Sequence, residues 1–161
     1  MDADSSKDQR ESVSIRVRFR FAPRLFAGGY VTERILLVDD DPEVVRLFGY
    51  ALKRADYEVM EALNGEVALR QAHQTPPDLI VLDVMMPGLD GYEVARRLRA
   101  RPETAAVPIV ILTARALVPD HVGGMQAGAT AYLVKPVMPS VLLQTLREIL
   151  ATHRASVVSG Q

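Results

Sequence analysis

Five polar residues with useful chemistry come at the ends of short apolar runs: Asp39, Asp40, Asp83, Thr113 and Lys135. The run Asp78-Leu-Ile-Val-Leu-Asp83 is the clearest case, because turn residues follow its final carboxylate at once. Polar groups that end buried strands lie at the edge of an open parallel sheet where ligands bind. We therefore expect the five side chains to converge on one edge of one sheet.

The carboxylates of Asp39, Asp40 and Asp83 would repel one another at close range, so a stable cluster at neutral pH implies a bound cation. Oxygen ligands with room left for water suit Mg²⁺, a hard ion that often bridges a carboxylate and a phosphoryl group. The Lys135 ammonium and the Thr113 hydroxyl would then supply charge compensation and a hydrogen-bond donor for phosphoryl oxygens. The placement alone predicts Mg²⁺-assisted phosphoryl transfer, with a strand-end aspartate as the acceptor nucleophile.

Strand and helix patterns alternate from residue 34 onward. The predicted strands are Ile35–Val38, Tyr57–Ala62, Leu79–Leu82, Val107–Thr113 and Ala131–Val134. The predicted helices run from Pro42 through Leu52, from a cap at Asn64 through Ala72, over Gly91–Ala100, over Pro119–Ala127, and from Pro139 or Ser140 through Leu150. Five such units predict an α/β fold, a doubly wound five-stranded parallel sheet with helices on both faces.

Composition excludes several classes of protein. The 161 residues, 48% hydrophobic and 24% charged, suit one globular domain with an appendage. We expect an N-terminal extension over 1–30, the domain over 31–152 and a C-terminal tail over 153–161. A net charge of -1 gives no general reason to expect a membrane or nucleic acid as partner. The absence of Cys excludes disulfides and thiolate metal sites, and the absence of a signal-like segment favours a cytoplasmic protein.

The N-terminal extension has a pattern of its own. Residues 14–21 alternate polar or basic side chains with apolar ones, as in a half-exposed strand, and residues 12–30 hold four Arg and no acid. One interpretation is an arm that binds nucleic acid or an acidic partner, with Phe19 and Phe21 available for stacking. The alternatives are an unstructured extension and an upstream start outside the working protein.

Four motifs, taken in order, resemble the receiver domain of two-component response regulators. They are Leu37-Val-Asp-Asp-Asp-Pro42, Pro77-Asp-Leu-Ile-Val-Leu-Asp-Val-Met-Met-Pro-Gly-Leu-Asp-Gly91, Leu112-Thr-Ala114, and Gly128-Ala-Thr-Ala-Tyr-Leu-Val-Lys-Pro136. The resemblance covers about residues 33–152. It implies the flavodoxin-like strand order 2-1-3-4-5, Mg²⁺ as cofactor, and a signalling domain of the single-domain type in place of a classical enzyme.

The resemblance also implies roles for individual residues. Asp83 would be the phosphoacceptor that takes a phosphoryl group from the phosphohistidine of a partner kinase or phosphotransfer protein. Asp40, Asp83 and the backbone carbonyl of Met85 would hold Mg²⁺, while Asp39 would act mainly through coordinated water. Met85 and Arg115 occupy the two variable positions that tune the lifetime of the phosphoryl group in this family.

The fourth and fifth strands would carry the switch. Lys135 would pair with the phosphoryl oxygens, and Thr113, followed by Ala114, would move toward them. Tyr132 matches the aromatic position that turns inward as the threonine moves. The peptide bond before Pro136 is usually cis in such domains.

Several of these residues have ordinary structural alternatives. Asp39, Asp40 and Asp41 would suit a solvated turn with a helix cap, and Asp90 is expected to cap the helix after it. Thr113 would suit an ordinary strand end. An aromatic residue such as Tyr132 is often buried in a fifth strand only for packing.

Other functions fit the chain less well. A phosphohydrolase with an aspartyl-phosphate intermediate needs a second Asp two residues after the nucleophile, where this chain has Met85. Too few residues follow Leu150 for an output domain, so we expect signalling through a downstream protein or a further relay component. Thr130-Ala131 and Val137 depart from the family pattern on the face of the predicted fourth and fifth helices. Many regulators of the family dimerise through this face, and the departures argue against such a dimer here.

Overall fold

The computed structural model describes residues 32–114 and 127–159, with side chains through residue 157. The elements are β1 (Arg34–Val38), α1 (Pro42–Arg54), β2 (Glu58–Ala62), α2 (Gly65–Gln74), β3 (Leu79–Asp83), α3 (Gly91–Arg99), β4 (Ile109–Thr113), β5 (Ala131–Val134) and α4 (Pro139–Ser159). All five predicted strands are present, each within two residues of its predicted limits.

The strands form one parallel sheet in the order β2-β1-β3-β4-β5, as predicted. Its register aligns the strand ends, since Val38 pairs with Leu82, Asp83 with Leu112 and Thr113 with Val134. The residues that end or follow these strands therefore meet at one edge of the sheet, which we call the site edge. The strands begin at the other edge, which we call the opposite edge.

The core lies on both faces of the sheet, because successive side chains of a strand point to opposite sides. Strands β1, β3 and β4 are buried throughout, as expected for interior strands covered by helices on both faces. One buried cluster joins Leu36 and Val38 to apolar residues of α2 and α3. The other joins Ile35 and Leu37 to apolar residues of α1 and α4. Helices α2 and α3 thus cover one face of the sheet, α1 and α4 cover the other, and this packing supports the strands that end at the site edge.

Three helices begin with the caps that the sequence predicts. The side chains of Asp41, Asn64 and Asp90 accept hydrogen bonds from the backbone N–H groups of Glu43, Val67 and Glu93 at 2.9, 2.9 and 2.8 Å. Asp41 is therefore the member of the aspartate triplet that serves the helix.

Some predictions fall on other parts of the chain. The N-terminal extension, Arg115 and nearly all of the predicted helix over Pro119–Ala127 lie outside the described residues. Helix α4 continues to Ser159, beyond residue 152, where the sequence suggests that the domain ends. Among the helices of the described ranges, none combines the length and the apolar character that a membrane crossing needs.

Candidate functional site

Three carboxylates meet at the site edge. Asp39 and Asp40 follow the last residue of β1, and Asp83 ends the neighbouring strand β3. One oxygen from each lies within 4.8 Å of the others. Asp39 and Asp83 are 1% and 4% exposed, whereas Asp40 is open to solvent. The structure therefore brings together the acidic group that the sequence predicted, with two of its members inside the protein.

Lys135 reaches the same cluster from the end of β5. Its Nζ lies 2.7 Å from Asp39 Oδ2 and 3.2 Å from Asp83 Oδ1. Its backbone N–H donates to the carbonyl of Thr113 at 2.7 Å, and its peptide bond with Pro136 is cis, as the resemblance implied. One ammonium thus bridges the two buried carboxylates across the sheet.

The charges of this cluster fit a divalent cation. Three carboxylates and one ammonium leave a formal excess of two negative charges. Asp39 already accepts the backbone N–H of Asp41 with its other oxygen, at 2.9 Å, so Asp40 and Asp83 keep most of the free lone pairs. An all-oxygen donor set that is exposed on one side suits Mg²⁺, which keeps several water ligands.

Asp83 and Lys135 differ in how well the protein stabilises their charges. Burial raises the pKa of Asp83, the charge of Asp39 raises it further, and the nearby Lys135 only partly opposes them. For Lys135, burial lowers the pKa, but the hydrogen bond to Asp39 and the two carboxylate charges outweigh that effect, so its pKa is raised. Lys135 therefore stays charged, while ionised Asp83 lacks full compensation from the protein alone.

Thr113 and Tyr132 occupy different surroundings. Thr113 is buried as the last residue of β4, beside the strand that ends in Asp83. Ala114 follows it in an exposed bend. Tyr132 is half-buried and packs against the core cluster under α2 and α3. The structure therefore places Thr113 at the site edge, whereas Tyr132 lies within β5, three residues before Lys135.

An open cleft of about 500 Å³ adjoins the phosphoacceptor candidate. It is lined by Val84, Met85, Met86, Pro87, Asp90, Tyr92 and Thr113. The Met85 side chain is half exposed beside it. The cleft gives a second molecule access to the strand end that carries Asp83.

Gly91 is a site residue whose role the sequence did not reveal. Its N–H donates to the carbonyl of Val84 at 3.0 Å, and a Cβ at this position would lie 2.2 Å from the backbone oxygen of Asp83. No side chain fits there, so glycine lets α3 start directly against the end of β3. The Asp90-Gly91 pair suggested only a helix start, because a close approach between distant elements leaves no periodic pattern in the sequence.

A family model for the response regulator receiver domain matches residues 35–147. The chain therefore belongs to the receiver domain family of two-component response regulators, a family of signalling domains.

Particular relatives agree with this assignment. The chain is 41% identical over 132 residues to the transcriptional regulatory protein PrrA of Mycobacterium leprae, covering 82% of this chain but only 56% of that protein. It is 38% identical to protein PilH of Pseudomonas aeruginosa, covering 73% of this chain and 98% of PilH. A crystal structure of the receiver domain of sensor histidine kinase PA1611 from P. aeruginosa PAO1, with a magnesium ion coordinated in its active site cleft, is 35% identical. It superposes with a TM-score of 0.70 over 74% of this chain and 98% of that one.

Proposed function

We propose that this protein is a phosphorelay receiver in which Asp83 accepts a phosphoryl group from a phosphohistidine of a sensor histidine kinase or phosphotransfer protein. The observation that carries the proposal is the buried carboxylate of Asp83 beside Lys135, in a cluster whose charge calls for a divalent cation. Membership of the receiver family supports the same partner class.

The positions of the residues in the cluster suggest which of them would bind Mg²⁺ directly. Asp40, Asp83 and the backbone carbonyl of Met85 would hold Mg²⁺, with Asp39 acting through a coordinated water. When bound, Mg²⁺ supplies compensation for the negative charge of the phosphoryl oxygens. The exposed position of Asp40 leaves the cation site open to the cleft from which the phosphodonor would approach.

The transfer itself needs one nucleophile. A carboxylate oxygen of Asp83 attacks the phosphorus, the new O–P bond forms as the P–N bond to the partner's imidazole breaks, and the imidazole nitrogen keeps the electron pair of that bond. Lys135 can follow the negative charge onto the phosphoryl oxygens, because its Nζ already lies 3.2 Å from Asp83 Oδ1. The Thr113 hydroxyl, at the end of the adjacent strand, would donate to another phosphoryl oxygen.

The same site favours holding the phosphoryl group over rapid turnover. The position two residues after Asp83 carries Met85, whose thioether cannot act as a general acid or base. Met85 and Arg115 would then set the lifetime of the acyl phosphate through their size and charge. Thr113 and Tyr132 lie on adjacent strands, where Tyr132 pairs with Ile111, two residues before the threonine. Movement of the threonine would therefore be transmitted to the aromatic ring and to the surface that a downstream protein binds.

The proposal is tested by labelling the protein with acetyl phosphate and Mg²⁺. We expect a label that is stable in acid and labile in base, and we expect Asp83→Asn to abolish it. Asp90→Asn is the matched control, because Asp90 lines the same cleft but serves as a helix cap. Equal labelling of Asp83→Asn and the parent would show that the phosphoacceptor has been assigned wrongly.

A second role is proposed for the N-terminal arm alone. The basic, acid-free segment over residues 12–30 favours binding of a nucleic acid or an acidic protein. Deletion of residues 1–30 should then remove a salt-sensitive interaction with DNA while leaving the acetyl phosphate label intact. Unchanged binding after the deletion would count against the arm.

A further inference from the structure

Strand β5 is short, yet it determines the position of Lys135. It has four residues, and within the described residues it is the outermost strand beyond β4 and pairs with β4 alone. Lys135 follows its last residue and must contact two buried carboxylates. Since a strand rises about 3.3 Å per residue, a slip of one residue would take the ammonium out of reach. Something must therefore fix where β5 begins.

Arg99, at the end of α3, contacts the turn that precedes β5. Its Nε and Nη2 donate to the carbonyl of Gly128 at 3.1 and 2.7 Å, and its Nη1 donates to the carbonyl of Val107 at 2.6 Å. Gly128 has a φ of +79°, and a Cβ there would lie 2.9 Å from Arg99 Nε. The guanidinium thus ties the start of β5 to the residues before β4, and the glycine leaves room for it.

Thr130 makes the second attachment, one residue before β5. Its N–H donates to the carbonyl of Ile109 at 2.7 Å, and its Oγ1 accepts the N–H of Ile109 at 3.0 Å. These two bonds join the first residue of β4 to the residue that leads into β5. The Thr130 hydroxyl oxygen accepts the Ile109 N–H, which a backbone carbonyl from the residues before Thr130 would accept in a longer parallel strand, so the side chain helps to set the register.

We propose that Arg99 and Thr130 are positioning residues for Lys135, which they hold in the acidic cluster from the opposite edge of the sheet by fixing the register of β5. Neither residue touches the reacting atoms. Both act through the backbone of β5, whose other end is fixed by the bond from the Lys135 N–H to the Thr113 carbonyl. The functional meaning of this arrangement rests on the proposed phosphoacceptor site, but the arrangement can be tested without phosphorylation.

The first measurement follows the lysine directly. The chain has only three lysines, Lys7, Lys53 and Lys135, so their side-chain ammonium signals can be resolved by NMR. Thr130→Val removes the acceptor oxygen and keeps the shape, and Arg99→Lys keeps the charge but cannot span the carbonyls of Gly128 and Val107. We expect both variants to shift the Lys135 signal toward that of the exposed Lys53. Thr130→Ser, which keeps the hydroxyl, should leave the signal at the position it has in the parent protein. Arg96→Met, an exposed change on the same helix, should leave it unmoved.

The second measurement is a double-mutant cycle on the Mg²⁺ dissociation constant, measured by calorimetry. Removing the ammonium with Lys135→Ala should tighten Mg²⁺ binding, and Thr130→Val should tighten it by about fivefold, the equivalent of one hydrogen bond. In the Lys135→Ala background, Thr130→Val should have no further effect. Additive effects, or a Lys135 signal that stays in place in Thr130→Val, would overturn the inference. Failure of the parent protein to bind Mg²⁺ would instead contradict the proposed metal site.

Discussion

The two edges of the sheet differ in how fully their charged side chains are compensated by neighbouring groups. At the opposite edge, Arg34 donates to both carboxylate oxygens of Glu58 at 2.9 and 3.2 Å, and Asp78 accepts the Arg34 N–H at 2.6 Å. At the site edge, the carboxylates of Asp39 and Asp83 both contact Lys135, the one cation that reaches them within the described residues. The first arrangement is complete without a ligand, and the second is not.

This difference separates the residues that stabilise the fold from those that act. Natural proteins tolerate incomplete charge compensation where it serves binding or catalysis, at some cost in stability. The complete ion pair at the starts of β1 and β2 helps to hold the strands in register, since Arg34 pairs directly with Glu58 in the sheet. The incomplete cluster at their ends is available for a cation and a phosphoryl group. Mutations at the opposite edge should therefore change stability alone, whereas mutations at the site edge should also change labelling.

The largest loss is expected from Gly91→Ala at the site edge. The new Cβ would lie 2.2 Å from the Asp83 carbonyl oxygen, so α3 and the end of β3 must move apart. We expect the free energy of unfolding to fall by about 3 kcal/mol, the upper range for overpacking. We also expect the level of acetyl phosphate labelling to fall. The measurements are urea denaturation and the labelling assay.

Gly88→Ala is the matched control for this change. A Cβ at Gly88 meets nothing within 4 Å, so only its φ of +80° opposes the substitution. The cost should be about 1 kcal/mol. If the two variants lost equal stability, the contact with Asp83 would not be the cause.

Arg34→Met tests the opposite edge. The Arg34 side chain is 7% exposed and makes two charge-assisted hydrogen bonds to Glu58, so its loss should lower the free energy of unfolding by about 2 kcal/mol. Labelling per folded molecule should stay at the parent level, because the pair lies at the far end of the strands. Arg97→Met, which breaks an exposed ion pair with Glu93, should leave the free energy of unfolding nearly unchanged, because solvent screens exposed pairs. A loss of labelling in Arg34→Met would weaken the separation between the two edges.

The sequence predicted the site edge much better than the opposite one. Runs such as Leu79–Asp83 place a polar group after a buried strand, and in a parallel sheet all such groups meet at one edge. The five strands and the close approach of Asp39, Asp83 and Lys135 therefore followed from local patterns, whereas the order of the strands came from the resemblance to receiver domains.

The bonds that Arg99, Thr130 and Gly91 make could not be predicted in the same way. Arg99 lies on a helix rich in arginine, and only the packed structure shows that its guanidinium reaches carbonyls up to 29 residues away in the chain. Thr130 stood out in the sequence only as a departure from the family pattern. Contacts of this kind depend on distances between elements, which periodicity does not encode.

Asp83→Asn should raise stability while it removes the label. Because burial and the charge of Asp39 raise the pKa of Asp83, its ionised form opposes folding at neutral pH. In EDTA at pH 7 we expect the variant to gain about 0.5 to 2 kcal/mol in the free energy of unfolding. The gain should shrink as the pH falls through the raised pKa, where the parent side chain also becomes neutral, and Mg²⁺ should reduce it by stabilising the parent. A variant less stable than the parent in EDTA would contradict the idea that the cluster lacks charge compensation.

The smallest effect is expected from Asp56→Gly, which refines the contrast at the opposite edge. Asp56 follows the end of α1, two residues before β2, and has a φ of 65°, a left-handed conformation that favours glycine. Glycine removes the steric cost but adds freedom to the unfolded chain, so the net gain should be about 0.5 kcal/mol. Asp56→Ala should lose stability, because alanine keeps the Cβ without a polar group that supports this conformation. Urea denaturation of the two variants should therefore shift in opposite directions, with labelling unchanged in both. A shift in the same direction would mean that the side chain of Asp56, and not its backbone conformation, controls the end of this helix.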